Sequence, residues 1–198
     1  MLPLLRIILL WQFAATQPPF WETKPPVNWT DAEIDTLMSE SPWGAVPRVV
    51  GKTTSSVVAF LASARPLREA EEQLFLRRER KVEVRVDEED YRAYIQQNPG
   101  KHIVLAVRMD LTIDLSEPKE IRTMEKECFL RVGRQKLRAV GHFPPTASDP
   151  YLRLLFPRVP LEGLKVLSFG LYLPGVPKPF QDVELPVKDL IYRGQLEY

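Results

Sequence analysis

The apolar positions of this chain keep two rhythms. Spacings of three and four residues recur in its first half, and alternation or short apolar runs fill its second half. The earliest helical stretch announces its own start. Thr30 is placed to accept from the backbone N–H of Glu33, and the Glu33 carboxylate to reach back to the N–H of Thr30. Ile34, Leu37 and Met38 follow on one face, and Ser41-Pro42 stops the run, which predicts a helix of about ten residues. A second helix is predicted from Pro66, with Ser63 as a nearby cap and Leu67, Ala70, Leu74 and Phe75 on its apolar side. Its acids come early (Glu69, Glu71, Glu72) and its bases late (Arg77, Arg78, Arg80, Lys81), the order that suits a helix dipole. A third helix is predicted over 88–97, capped by Asp87, with Tyr91, Tyr94 and Ile95 inward and Asn98-Pro99-Gly100 at its end.

The strand signals are of two kinds. "VEVRV" (82–86) alternates strictly and predicts a strand with one wet face, whereas "HIVLAVRMDL" (102–111) is apolar on both alternations and predicts an interior strand. "SSVVAFLASA" (55–64) is short and β-branched at its start, and reads as a strand with "PRVVGKT" (47–53) as hairpin partner. "ECFLRV" and "KLRAVGH" flank Gly133-Arg134-Gln135 as a hairpin. "YLRLLFPRV", "LKVLSFGLYL" and "DVELPVKDLIYRGQLEY" follow as further strands between proline-bearing loops, and 116–126 is left open between a turn of helix and an irregular link. Together these predict an α+β fold: an antiparallel or mixed sheet with two or three short helices largely on one side.

The N-terminus changes this picture. Arg6 precedes an apolar run to Ala15 broken only by Gln12, and small residues follow at Ala14, Ala15 and Thr16. That is the layout of a signal peptide over 1–17, too short to span a bilayer, so the chain is expected to be exported, to the periplasm or the exterior, without a transmembrane anchor. Residues 18–47 form an arm holding three of the four tryptophans and six of the nineteen prolines, and 48–198 a single α+β domain. The prolines predict an extended course through 18–29. Trp21, Trp29 and Trp43 are expected to fold down as wedges into the domain, with Thr30, Glu33 and Pro42 shaping the short helix between them. Each buried indole is worth at most about 4–6 kcal/mol. The competing reading of the same residues is a docking strip for another envelope protein, or a platform for a glycan.

Composition narrows the chemistry. With 27 basic and 26 acidic residues, no strong field exists to attract nucleic acid. Removal of the leader would take Arg6 and leave the two signs equal. The single cysteine, Cys128, has no intrachain partner for a disulfide and lies too far inside for a lipid anchor at the leader's end.

The string "FWETKPPVNWTDAEIDTLMSESPW" (Phe20 to Trp43), the strand "VLAVRM" (104–109) and the close "VKDLIYRGQLEY" (187–198) resemble uncharacterised exported proteins of soil bacteria, of the acidobacterial type. The resemblance touches both ends and the centre of the chain. It implies export and a bacterial source, and brings no activity, cofactor or catalytic residue.

Familiar catalytic patterns are absent: no G-x-S-x-G elbow, no G-x-G-x-x-G and no phosphate-loop motif occurs. Two histidines and one cysteine, spread along the chain, do not suggest a zinc site. A Cys128–His142 dyad across the predicted hairpin is set against an inert thiol in an apolar strand. Asp110 and Asp114, four apart at the end of the interior strand, are the carboxylates from which an exported hydrolase, acting on a glycan, would have to be built. Against that stands the plainer reading of a turn and a cap. The sequence therefore favours a non-catalytic binding or assembly domain of the bacterial envelope or exterior, with no cofactor and a partner it does not identify.

Overall fold

The computed structural model describes residues 18–49, 53–54, 57–79, 86–109, 117–146 and 149–198. The leader, Asp110 and Asp114, and most of the segment expected as a strand over 82–86 lie outside the described residues.

The architecture is α+β, with every strand pairing antiparallel. Five strands form a first sheet in the order β1 (Gly44–Ala45), β4 (Ala59–Leu61), β5 (His102–Arg108), β9 (Tyr151–Pro157), β8 (Gly141–Phe143). Six form a second, in the order β3 (Thr53–Thr54), β2 (Arg48–Val49), β11 (Phe180–Pro186), β10 (Val166–Tyr172), β6 (Phe129–Val132), β7 (Gln135–Arg138). A ribbon of β12 (Ile191–Tyr192) and β13 (Gln195–Leu196) follows. Among the described residues there are five α-helical segments: α1 (Phe20–Thr23), α2 (Asp31–Glu40), α3 (Arg65–Glu79), α4 (Val86–Gln97) and α5 (Pro118–Glu127). That exceeds the two or three expected.

Strand β5 explains the layering. Its Ile103 to Val107 are all buried, as an interior strand covered on two faces must be. Side chains of the neighbouring β9 alternate between those two faces. Phe156 meets Phe169 of β10, ring centroids 5.1 Å apart, so one face packs on the second sheet. Tyr151 and Arg153 reach Met38 of α2 and Glu71 of α3, so the other face packs under helices. α4 joins that layer through Tyr91 and Tyr94, both against Phe143 of β8. The second sheet is wet outside: along β11, Gln181, Val183 and Leu185 are buried while Phe180, Glu184 and Pro186 are exposed.

Several elements differ from expectation. Within "PRVVGKT", Arg48 and Val49 do not pair with β4; β2 pairs with β3 and with β11 on the edge of the second sheet, and β4 takes β1 instead. Val86 opens α4, so that helix starts before Asp87 rather than being capped by it. Ser63 does not serve as a helix cap; its hydroxyl accepts the backbone N–H of Val104 at 3.0 Å. Residues 18–29 are not simply extended, because Pro19 and Pro26 sit at starts of two short turns of helix, the positions where a missing N–H costs nothing. The open segment 116–126 is α5, entered through Pro118 at its first turn. The stretch 182–198 divides into β11, a 3-10 turn at Val187–Asp189 and the β12–β13 ribbon.

The capping box forms as read: Glu33 N–H donates to Thr30 Oγ1 at 3.2 Å, and Thr30 N–H to Glu33 Oε2 at 2.9 Å. The hairpin forms with a shorter turn than expected: Gln135 already pairs with Val132, leaving Gly133-Arg134 between the strands with Gly133 at φ +58°, and "KLRAVGH" divides, 136–138 lying in β7 and 141–142 in β8 of the first sheet. At the far end of α2 the chain doubles back so tightly that a Cβ on Gly44 would lie 2.4 Å from the carbonyl oxygen of Met38. A Gly44→Ala variant is therefore expected to lose about 1–3 kcal/mol of stability, read as a lower urea midpoint with unchanged slope. An unchanged midpoint would show that the close approach is not needed.

Candidate functional site

The concavity with the most built character lies between α2, α3, α4 and the helix-facing side of the first sheet. Its volume is about 190 Å³. Met38, Leu74, Tyr91, Ile95 and Tyr151 give it an apolar and aromatic floor. The helical spacing that buries Leu67 and Ala70 of α3 turns Leu74 and Glu71 toward this space, and Tyr91 and Ile95 face it from α4 one turn apart. Tyr151 turns its hydroxyl onto the Met38 sulfur, 3.7 Å away.

At its inner wall stands Arg153, only 5% exposed. β9 delivers it to the helical face, and its neighbour across the ladder on β5 is Ala106, whose small side chain leaves room for a guanidinium. Arg153 Nη2 donates to Glu71 Oε1 at 2.7 Å, Nη1 donates to Asp149, and the guanidinium carbon lies 4.1 Å from the centre of the Tyr91 ring. One cation thus serves two carboxylates and one aromatic face. Desolvation raises the pKa of Glu71 above the ordinary carboxylate value, and the carboxylates hold Arg153 firmly protonated against its burial. Burial likewise raises the Tyr91 phenol, which therefore stays neutral. Outward of this triad, Arg92 Nη2 donates to Glu72 at 2.8 Å while its guanidinium stacks on Phe75, 3.3 Å from the ring centre.

Two other concavities are less developed. One of about 80 Å³ lies on the far side of Arg68 and Ile95, among Tyr94, His102, Asn98 and Tyr198. Tyr94 hydrogen-bonds and stacks on His102, whose pKa is lowered by burial and by Lys101. The other, about 380 Å³, spreads over the wet face of the second sheet beside Arg131, Ser168, Asp182 and Glu184 and has no aromatic floor.

The arm is tied into the domain by its rings. Trp29 is 1% and Trp43 0% exposed, and Trp21 is half-buried. A relay of edge-to-face contacts joins Trp29 to Phe20 (5.8 Å), Phe20 to Trp21 (5.0 Å), Trp21 to Trp43 (6.4 Å), and Trp43 to Tyr192 of the closing ribbon (6.1 Å). Trp29 Nε1 donates to the Lys24 carbonyl at 3.2 Å and Trp43 Nε1 to the Glu197 carbonyl at 2.9 Å. Arg77 reaches across to the Trp29 carbonyl and to Asp31, so this late base of α3 is an anchor for the arm rather than a merely solvated charge. Pro42 is half-buried at the turn after α2. Glu33, held by Lys24 and Thr30, has a lowered pKa.

The remaining candidates are dispersed. Cys128 is buried; the backbone N–H of Tyr172 donates to its sulfur at 3.3 Å, and burial pushes its thiol up to about 12, so it is no nucleophile at neutral pH. His142 faces Glu125 instead, at 3.5 Å. Asp110 and Asp114 lie outside the described residues. Among the described residues no group of three or more His, Cys, Asp or Glu is arranged to hold a metal ion, and no helix is long and apolar enough to cross a membrane.

Two substitutions separate the parts of the triad. Arg153→Met leaves two carboxylates facing each other in a dry wall, and is expected to cost about 3–5 kcal/mol at pH 7. Glu71→Gln keeps an acceptor for the guanidinium and removes the excess negative charge, so it is expected to fold with stability close to the parent. The two also differ in pH response. A native pKa raised above the unfolded value of about 4.3 means that the stability from the protonated acid is complete below that pH and lost as pH rises through the native value. Urea unfolding between pH 4 and 8 should show that loss in the parent and a flatter profile in Glu71→Gln; equal slopes would remove Glu71 as its source.

No family model matches the chain, and no curated protein matches it. A solved structure described as a novel protein of unknown function from Burkholderia pseudomallei aligns at 12% identity, covering 77% of this chain and 81% of that chain, with a TM-score of 0.45. So loose a likeness transfers neither a fold assignment nor a function.

Proposed function

We propose that the protein is an exported, non-catalytic binding domain that holds a small ligand in the cleft between α2, α3, α4 and the first sheet. The observation that carries this reading is the cleft itself: an aromatic floor on regular secondary structure, beside a buried arginine locked by two carboxylates. Small-molecule sites have this make-up, with an apolar lining and a few fixed polar groups. A cavity of roughly 150 Å³ accepts a single aromatic ring, so about 190 Å³ suits a compact ligand. The indoles of Trp29 and Trp43 are occupied inside the chain, which argues against a glycan platform or docking strip made from them. Export rests on the signal-like leader and on the resemblance to exported acidobacterial-type proteins.

Two measurements test the reading separately. Full-length protein made in a bacterial host and recovered from the cell-envelope extract should begin near Pro18; an intact Met1 on all of it would overturn export. A thermal-shift screen of compact metabolites should find compounds that raise the melting temperature by about 2 °C or more at millimolar concentration. If none does, the small-ligand role fails.

A further inference from the structure

We infer that the ligand of this cleft is a small amphipathic carboxylate, an apolar ring or short chain ending in one carboxylate that pairs with Arg68. This rests on the small-ligand reading above and adds to it the sign and shape of the polar head.

The inference comes from which charges at the cleft are already engaged. Its lining holds four arginines and three acids, and no lysine. Each acid has an arginine: Glu71 and Asp149 share Arg153, and Glu72 takes Arg92. An ammonium ligand would meet only carboxylates that already engage a guanidinium, whereas an anion would meet Arg68. Arg68 is exposed in the first turns of α3, on the wall shared by the main cleft and its smaller neighbour, and among the described residues its side chain makes no ion pair or hydrogen bond. The Nη1 of Arg92 likewise has no hydrogen-bond partner among the described residues. A guanidinium presents a planar fork that matches a planar carboxylate in two parallel hydrogen bonds, so the spare group specifies the head as well as its sign. Beneath Arg68 the floor offers Leu74, Ile95, Tyr91 and Tyr151, which accept an apolar body and no further charge.

The proposal is tested by calorimetric titration of the full chain at pH 7 with benzoate, phenylacetate and hexanoate, and with the near-isosteric benzamide and benzylamine. The acids are expected to bind with dissociation constants of about 0.1–1 mM, and the amide and amine at least about tenfold more weakly. Arg68→Ala should weaken the acids about tenfold and leave the amide unchanged, with thermal unfolding like that of the parent because Arg68 is exposed; Arg68→Gln provides the same comparison if the alanine variant unfolds early. Amide or amine binding as tight as the acids, or acid binding indifferent to Arg68, overturns the carboxylate assignment while leaving the cleft a binding site. Absence of heat from all five probes, together with an empty thermal-shift screen, removes both the assignment and the small-ligand reading beneath it.

Discussion

A single guanidinium fixes α3 to the central sheet. Arg153 leaves β9 on the face opposite Phe156, and its two carboxylate partners lie on α3 and in the strand's own approach. Apolar contacts would allow α3 to slide on the sheet with little change in buried area, since burial is non-directional. A forked cation between two acids does not slide. The position of α3 in turn sets Leu74 and Glu71 against the cleft, Glu72 toward Arg92 of α4, and Arg77 beneath the arm. A buried pair of this kind is weak as a source of net stability, and its contribution here is to choose one packing of helix on sheet.

The arm depends on the same helix from its outer side. Arg77 holds the Trp29 carbonyl and Asp31, while Tyr192 in the closing ribbon donates to Glu69 of α3 at 2.6 Å and Arg65 pairs with Glu197 at 3.2 Å. The line of rings from Trp29 to Tyr192 therefore lies over a helix whose charged residues clip both its ends. The backbone N–H of Arg193, a residue at φ 48°, adds a bond to Glu22, joining ribbon and arm directly. Burial of the indoles and the polar clips support one another, because each ring needs the ribbon in place and the ribbon is too short to stand alone.

What the sequence disclosed, and what it concealed, follows the range of the interactions. The Thr30–Glu33 box, the turn at Gly133-Arg134 and the doubly covered strand at 103–107 are set by neighbours a few positions apart, and all are readable from residue type and spacing. Helix α5 was obscured because Ile121 and Met124 are its only large apolar residues, and its partner Tyr172 lies 52 positions from Glu120. The cleft was concealed for the same reason. Arg153 stands between leucines in "YLRLLFP", an odd place for a charge, and that oddity was the available signal. Its acid on α3 is 82 positions earlier, and nothing in the spacing connects them. As a dipole-matching series the acids of α3 are only local charges, and that pattern carries no sign of the bonds Glu69 and Glu72 make to Tyr192 and Arg92.

The bond from the Trp43 indole to the Glu197 carbonyl spans 154 positions. A ribosome that has just made Trp43 must add a further 154 residues before the acceptor exists. Until then the arm has rings but no ribbon to cover them, and α3 has Arg65 without its partner. The native arrangement of the arm therefore depends on contacts of very long sequence separation, the kind whose loop-closure cost must be met before they contribute.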